Sequence, residues 1–322
     1  MFKYLLLLLG FLLLIKGADL FVEGSSSIAR LLRIPSIIIG LTVVAFGTSM
    51  PEASVSITAA LSGKNDLSLS NVVGSNIFNL LVVVGVSAAI YPMKVQPSVL
   101  KKDLPFSILI SGALLLMCIP SAYRGMRVSI LSRTEGIVLL AAFFIYVAFT
   151  VREALKARQT DAPADDPDGP APAARPIPLI LLYIVLGMAG IVIGGDLVVD
   201  SASAIALTFG WSETFIGLTI VALGTSLPEL VTSVVAARKG ESDLSLGNAI
   251  GSNIFNILLV LGVSAALHPI AVNIFTVYDT IFQIVSSIIV YLFAIHKQDL
   301  DRREGLLMIP LYVLFFVYII LR

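Results

Sequence analysis

Apolar residues run along this chain in long unbroken blocks, unlike the two-residue alternation of strands or the single apolar stripe of soluble helices. Read with a window of about 19 residues, ten blocks stand out, near 4–29, 36–61, 68–91, 104–120, 132–151, 177–207, 212–237, 244–267, 273–295 and 305–321. Each reaches the roughly 17 residues that a membrane helix needs. The pattern predicts an all-α membrane protein of ten transmembrane helices with the lipid bilayer as its solvent. Composition agrees. The chain is 57% hydrophobic and only 13% charged, with a mean hydropathy of +0.99, whereas soluble domains run at about a quarter charged. Formal net charge is zero and no basic stripe is present, so no nucleic-acid partner is expected.

The polar interruptions repeat. At an offset of 177 residues, Gly40 to Glu52 (GLTVVAFGTSMPE) lies over Gly217 to Glu229 (GLTIVALGTSLPE) with ten of thirteen positions identical, and Leu67 to Leu80 (LSLSNVVGSNIFNL) lies over Leu244 to Ile257 (LSLGNAIGSNIFNI) with ten of fourteen. The chain therefore divides into a first five-helix repeat, 1–151, a linker, 152–176, and a second five-helix repeat, 177–322. Five is odd, so the second copy is inverted relative to the first. Fourteen Lys and Arg follow the odd-numbered spans and six lie on the opposite side. By the positive-inside rule the linker is cytoplasmic and both termini face out. The linker is rich in Pro, Asp and Ala, reads as disordered and is expected to be dispensable. Its acidic cluster Asp161, Asp165, Asp166 and Asp168 lacks the ligand spacing of an EF-hand loop. The first apolar block resembles a secretory signal in outline, but Gly17-Ala18-Asp19-Leu20 recurs as Gly194-Gly195-Asp196-Leu197, which makes that block part of the duplicated body. The one cysteine, Cys118, reads as apolar packing.

Two carboxylates stand apart from the loop charges. Glu52 and Glu229 fall midway along apolar spans, where a carboxylate costs several kcal/mol, on the order of 3, unless it faces a cavity or a partner. Each directly follows a proline that lacks an N–H, so each helix is expected to kink and to turn carbonyls aside. Thr48 and Ser49 precede Glu52 by four and three residues, on the same helical face, and Thr225 and Ser226 repeat this before Glu229. The third and eighth spans add Ser75, Asn76 and Asn79, matched by Ser252, Asn253 and Asn256. This inventory of carboxylate, amide, hydroxyl and carbonyl oxygen, with no thiolate or imidazole, suits a hard cation such as Ca²⁺ better than Zn²⁺ or copper.

These paired motifs resemble the α-repeats of the cation/calcium antiporter superfamily, most of all prokaryotic sodium/calcium exchangers, and the likeness extends from the first span to the last. The resemblance implies a monomeric, multi-pass protein of a prokaryotic inner membrane that exchanges sodium for calcium by alternating access, with spans one and six sliding across a core formed by the motif helices. It implies no enzyme activity and no cofactor. By the same resemblance calcium is held by Glu52 and Glu229 with the carbonyls of Thr48 and Thr225, and sodium adds Ser49, Ser226, Ser75, Ser252, Asn79, Asn256 and the carbonyls of Ala45 and Ala222. Potassium-dependent relatives carry Asp where this chain has Asn256, which points away from potassium coupling and toward a site charge of minus two. At least two sodium ions then replace one calcium.

Other readings compete. Proton/calcium exchange would use the same two glutamates. A channel would need them in a selectivity ring, which one chain with one pair does not supply. An intramembrane aspartyl protease is suggested by Gly195-Asp196 and Tyr278-Asp279, but their order in the chain is reversed and Ile193 replaces the glycine such enzymes require. Asp19, Glu23, Asp196 and Asp200 read as pathway residues or, for Asp19, as the partner of Lys16. His268, His296 and Trp211 read as anchors at span ends.

Overall fold

A computed structural model describes residues 2–62, 65–119, 129–159, 176–211 and 216–321. The described chain is helical apart from four short strands. Seven helices are long and apolar enough to cross a membrane: α1 (Phe2–Leu32), α4 (Leu67–Ile90), α6 (Arg133–Gln159), α7 (Ile177–Thr208), α10 (Ser242–Leu267), α11 (Ile274–Lys297) and α12 (Arg302–Leu321). An eighth candidate is a broken pair, α2 (Ser36–Thr48) and α3 (Met50–Leu61), bent by 50°. The two other expected spans meet α5 (Leu104–Cys118), which a π-helical turn over Val99–Asp103 leads into, and the run of α8 (Ala222–Gly224) and α9 (Leu227–Arg238).

Core and periphery separate by composition. In α4 and α10, 72% and 78% of the most apolar stretch is buried, against 17–39% in the other five. These two helices are rich in Gly, Ser and Asn, the residues that let backbones approach and hydrogen-bond where lipid supplies no hydrophobic drive. Gly247 of α10 shows the result: a Cβ there would lie 2.9 Å from the Cα of Gly40 in α2 and 2.8 Å from the Ile37 carbonyl. Leu, Ile and Phe on the outer helices point instead toward the bilayer.

α1 and α7 pack along a second backbone contact. A Cβ on Gly187 would come within 2.5 Å of the Phe21 amide nitrogen, and one on Gly194 within 2.6 Å of that of Leu14. Backbone atoms have little freedom to withdraw, so Gly187→Ala is expected to destabilise the protein by about 1–3 kcal/mol, the usual cost of overpacking. Melting of the purified protein in detergent checks this. Gly112→Ala, where nothing lies within 4 Å, serves as the neutral control.

Helix ends follow local chemistry. Ser132 and Glu135 form a reciprocal capping box at the start of α6, with the Ser132 amide donating to Glu135 Oε2 at 2.6 Å and the Glu135 amide to Ser132 Oγ at 3.3 Å. Asp301 and Glu304 do the same for α12. The Glu304 N–H holds the Asp301 carboxyl below its ordinary range, helped by Lys297 and the Arg303 N–H. Two antiparallel strand pairs join the loops, Met93–Lys94 with Asp299–Leu300 and Ser129–Leu131 with Ile270–Val272.

Two expectations need correction. The fifth span does not stop at 151: α6 runs to Gln159, because Arg152-Glu-Ala-Leu-Lys-Ala-Arg-Gln159 is built from strong helix formers and Glu153 pairs with Lys102. The remaining linker, including its acidic cluster, lies outside the described residues. Asp19 does not pair with Lys16. Its carboxylate meets Lys239 Nζ at 3.3 Å, and its carbonyl accepts from the same nitrogen at 2.9 Å. Three residues along a helix are close enough to pair, but the turn after α9 brings a competing cation that also serves a carbonyl. Arg30 joins the same turn through Glu241 at 3.1 Å. Cys118 is buried, and His268, His296 and Trp211 sit exposed at helix ends.

Candidate functional site

The helix carrying Glu52 breaks where its proline removes a donor. Ser49, at φ −84° and ψ 6°, separates α2 from α3, and Ser226, at φ −93° and ψ 4°, separates α8 from α9 in the same way. Pro51 and Pro228 sit in the first turns of the helices that follow, where a missing N–H is tolerated. π-helical turns over Gly40–Val44 and Gly217–Val221 precede the breaks, and others over Asn79–Val83 and Asn256–Leu261 lie in α4 and α10. Such widened turns concentrate at functional sites because they displace backbone groups from the regular ladder. The Ala45 carbonyl keeps a backbone partner, the Ser49 N–H, at 3.0 Å, and the Thr48 hydroxyl stands 3.4 Å from it. Ala222 opens α8.

The breaks bring the carboxylates together. Both Glu52 and Glu229 are fully buried. Ser49 donates to Glu229 Oε1 at 3.0 Å, and Ser226 donates to Glu52 Oε1 at 2.9 Å. Each serine thus serves the glutamate of the other motif. Ser75 and Ser252 stand 3.4 Å from the same two oxygens, and Ser75 Oγ lies 3.1 Å from Ser226 Oγ. The described ion pairs all lie elsewhere, so among the described residues no cation partners either carboxylate.

Four asparagines knit α4 to α10. Asn76 donates to the Asn253 carbonyl at 3.3 Å and Asn253 to the Asn76 carbonyl at 3.2 Å, while Asn79 donates to Asn253 Oδ1 and Asn256 to Asn76 Oδ1, both at 3.1 Å. This engages both the amide nitrogen and the amide oxygen of Asn76 and of Asn253. Asn79 and Asn256 keep their Oδ1 atoms, buried and without a partner. Glu52 Oε2, Glu229 Oε2 and Thr225 Oγ1 are in the same condition. An unpaired buried acceptor costs about 1–3 kcal/mol and more when charged, so a cluster of them marks a place where another electropositive group belongs. Every one of these five atoms is an oxygen, the donor set of a hard cation.

Sequence reasoning passed over Asn71 and Asn248, with Ser56 and Ser233. Asn71 Nδ2 reaches Ser56 Oγ at 3.0 Å and the Glu52 carbonyl at 3.5 Å, and Asn248 Nδ2 reaches Ser233 Oγ at 2.9 Å and the Glu229 carbonyl at 3.3 Å. All four positions repeat at the offset of 177, which was the available signal.

Set beside known proteins, residues 2–152 and 179–321 match the family model described as sodium/calcium exchanger protein. The chain belongs to the sodium/calcium exchanger family. It is 35% identical to the sodium/calcium exchanger MaX1 of Methanosarcina acetivorans, with 98% of this chain and 97% of that one covered. It is 39% identical to the inner membrane protein YrbG of Escherichia coli over 82% of this chain and 79% of the relative. Solved structures of the sodium-calcium exchanger NCX_Mj superpose with a TM-score of 0.83 at 32% identity, covering 97% of both chains. This member of the exchanger family is accordingly a cation/calcium antiporter of the membrane, a transporter rather than an enzyme.

Proposed function

We propose that this antiporter exchanges sodium for calcium, and that Glu52 and Glu229 hold the ions at mid-membrane. The observation that carries the reading is the cluster of buried, partnerless oxygens on Glu52, Glu229, Asn79, Asn256 and Thr225. Two carboxylates neutralise one Ca²⁺ or two Na⁺. The remaining neutral oxygens, with the serine hydroxyls released from their carboxylate bonds and the carbonyls of Thr48, Thr225, Ala45 and Ala222, complete six- to eightfold coordination for calcium or hold sodium ions in separate places. The reading takes the chain as ten spans in two inverted repeats, 1–151 and 177–322, with both termini outside and one chain sufficient for transport. The duplication at 177 residues and the pairing of each motif's serine with the other motif's glutamate support it. So do the names of the relatives, sodium/calcium exchangers among them.

Calcium uptake into proteoliposomes decides the coupling ion. An outward sodium gradient is expected to drive uptake, and an outward proton gradient of equal size is not. Uptake driven by protons alone would replace sodium by protons at the same two glutamates.

A further inference from the structure

Asn71 and Asn248 occupy equivalent places, 177 residues apart, yet their surroundings differ. Each amide nitrogen is committed to the serine and the glutamate carbonyl of its own motif pair, which leaves the amide oxygen to accept. Asn248 Oδ1 accepts from Thr48 Oγ1 at 2.9 Å. The equivalent donor for Asn71 is Thr225, and Thr225 Oγ1 is buried with no partner at all. Asn248 is fully buried, whereas Asn71 is partly exposed. Chemically identical residues are therefore in two different states within one molecule.

The two asparagines lie near opposite ends of the site. Asn71 is in the first turns of the helix that begins at Asn65, and Asn248 holds the same place in the helix that begins at Ser242, after the 239–241 turn. At the 239–241 turn, α1 is tied down by Lys239 with Asp19 and by Glu241 with Arg30. The positions equivalent to Arg30, Lys239 and Glu241 are Leu207, Ser62 and Lys64, which do not provide the same charges. The bonded threonine, the buried asparagine and the ion pairs all fall at one end, and the free hydroxyl and the partly exposed asparagine fall at the other.

We propose that Asn71 and Asn248 are positioning residues that select which face the ion site opens to: the Thr48–Asn248 bond seals the 239–241 face in the state seen here, and a Thr225–Asn71 bond replaces it when the opposite face is sealed. Each threonine stands one helical turn before its glutamate, so either bond fixes the broken helix that presents a carboxylate. This rests on reading Glu52 and Glu229 as the ion site of an alternating-access exchanger.

The two bonds predict opposite consequences. A ligand's apparent affinity from one face falls with the population of the state open to that face. Thr48→Val removes a bond made only while the face opposite the 239–241 turn is open, so the apparent KM for calcium should rise at that face and fall at the other. Thr225→Val should do the reverse. A single net hydrogen bond shifts the ratio of the two KM values by about fivefold, and Thr→Ser at either position should restore it. The measurement is calcium exchange in vesicles of uniform orientation, with calcium varied on each face in turn and Glu52→Gln assayed alongside. Shifts of the same sign at both faces, or none in either valine variant, overturn the proposal. If Thr→Val fails to insert, Thr→Ala is measured with the same signs expected. Failure of both would make the hydroxyl a folding element and equally overturn the assignment. Glu52→Gln separates the levels: transport by that variant removes the ion site itself, whereas its inactivity beside symmetric threonine effects removes only the switch.

Discussion

Glu52→Gln and Glu229→Gln are each expected to abolish calcium uptake, with the apparent affinity falling roughly 100-fold or more. Either substitution leaves one carboxylate to compensate a divalent ion in a site from which solvent is excluded. Removing one partner of a buried charge pair costs about 3–5 kcal/mol, which corresponds to that loss. Glutamine preserves shape and one acceptor oxygen, and Ser49 and Ser226 keep something to donate to, so folding is expected to survive. Isotopic calcium uptake by reconstituted protein checks it, with melting temperature as the control for folding. Substantial uptake by either variant would take the ion site away from this pair.

A conditional effect is expected from Asn256→Asp. Asn256 Oδ1 is buried and free while its nitrogen is held by Asn76 Oδ1, so a carboxylate there both adds a charge and sets it against an acceptor. If Asn256 shares the ion site with Glu52 and Glu229, three negative groups there do not all stay ionised without another cation. The sign follows from the protonation state. At the acid end of a pH 6–9 series the new carboxyl holds a proton, the site charge stays at minus two and the variant resembles the wild type. At the alkaline end the proton is lost, calcium leaves the site at minus one, and a further monovalent ion is required. Uptake at pH 9 without potassium should then fall about tenfold below uptake with it, the equivalent of about 1.4 kcal/mol of uncompensated charge. The wild type should respond weakly to potassium throughout. A variant indistinguishable from the wild type would place Asn256, and with it Asn79, outside the ion site.

Much of this arrangement was legible beforehand, for identifiable reasons. A carboxylate in the middle of an apolar span is costly, and Glu52 and Glu229 appear at matching positions of a duplicated motif, so burial and pairing could be expected from sequence. The helix breaks followed from Pro51 and Pro228. The partition among the asparagines did not. Residue type says that Asn76 and Asn79 each bring one donor and one acceptor group, but only three-dimensional pairing shows that Asn76 and Asn253 spend theirs on each other's helices while Asn79 and Asn256 keep an oxygen. Asn71 and Asn248 were hidden among the many small polar residues that membrane helices use for packing. The Asp19–Lys239 pair was out of reach because it joins residues 220 apart in the chain, whereas local spacing can propose only neighbours such as Lys16. Residues 152–159 carry a loop-like content of charge, yet their strong helix formers continue α6 to Gln159.

The glycine contact between α1 and α7 bears on how the molecule is made. α1 leaves the ribosome well before the surface it fits, which begins only at Ile177. Throughout synthesis of α2 to α6 the groove along Gly10, Gly17 and Gly24 has no mate, and α1 must wait in the bilayer with a notched face turned to lipid or to the insertion machinery. The two halves of the gene product are thus not a pair of prefabricated modules joined at the end. Synthesis of α7 is what gives α1 its place, and a chain truncated after α6 would present cellular quality control with an unmatched seam.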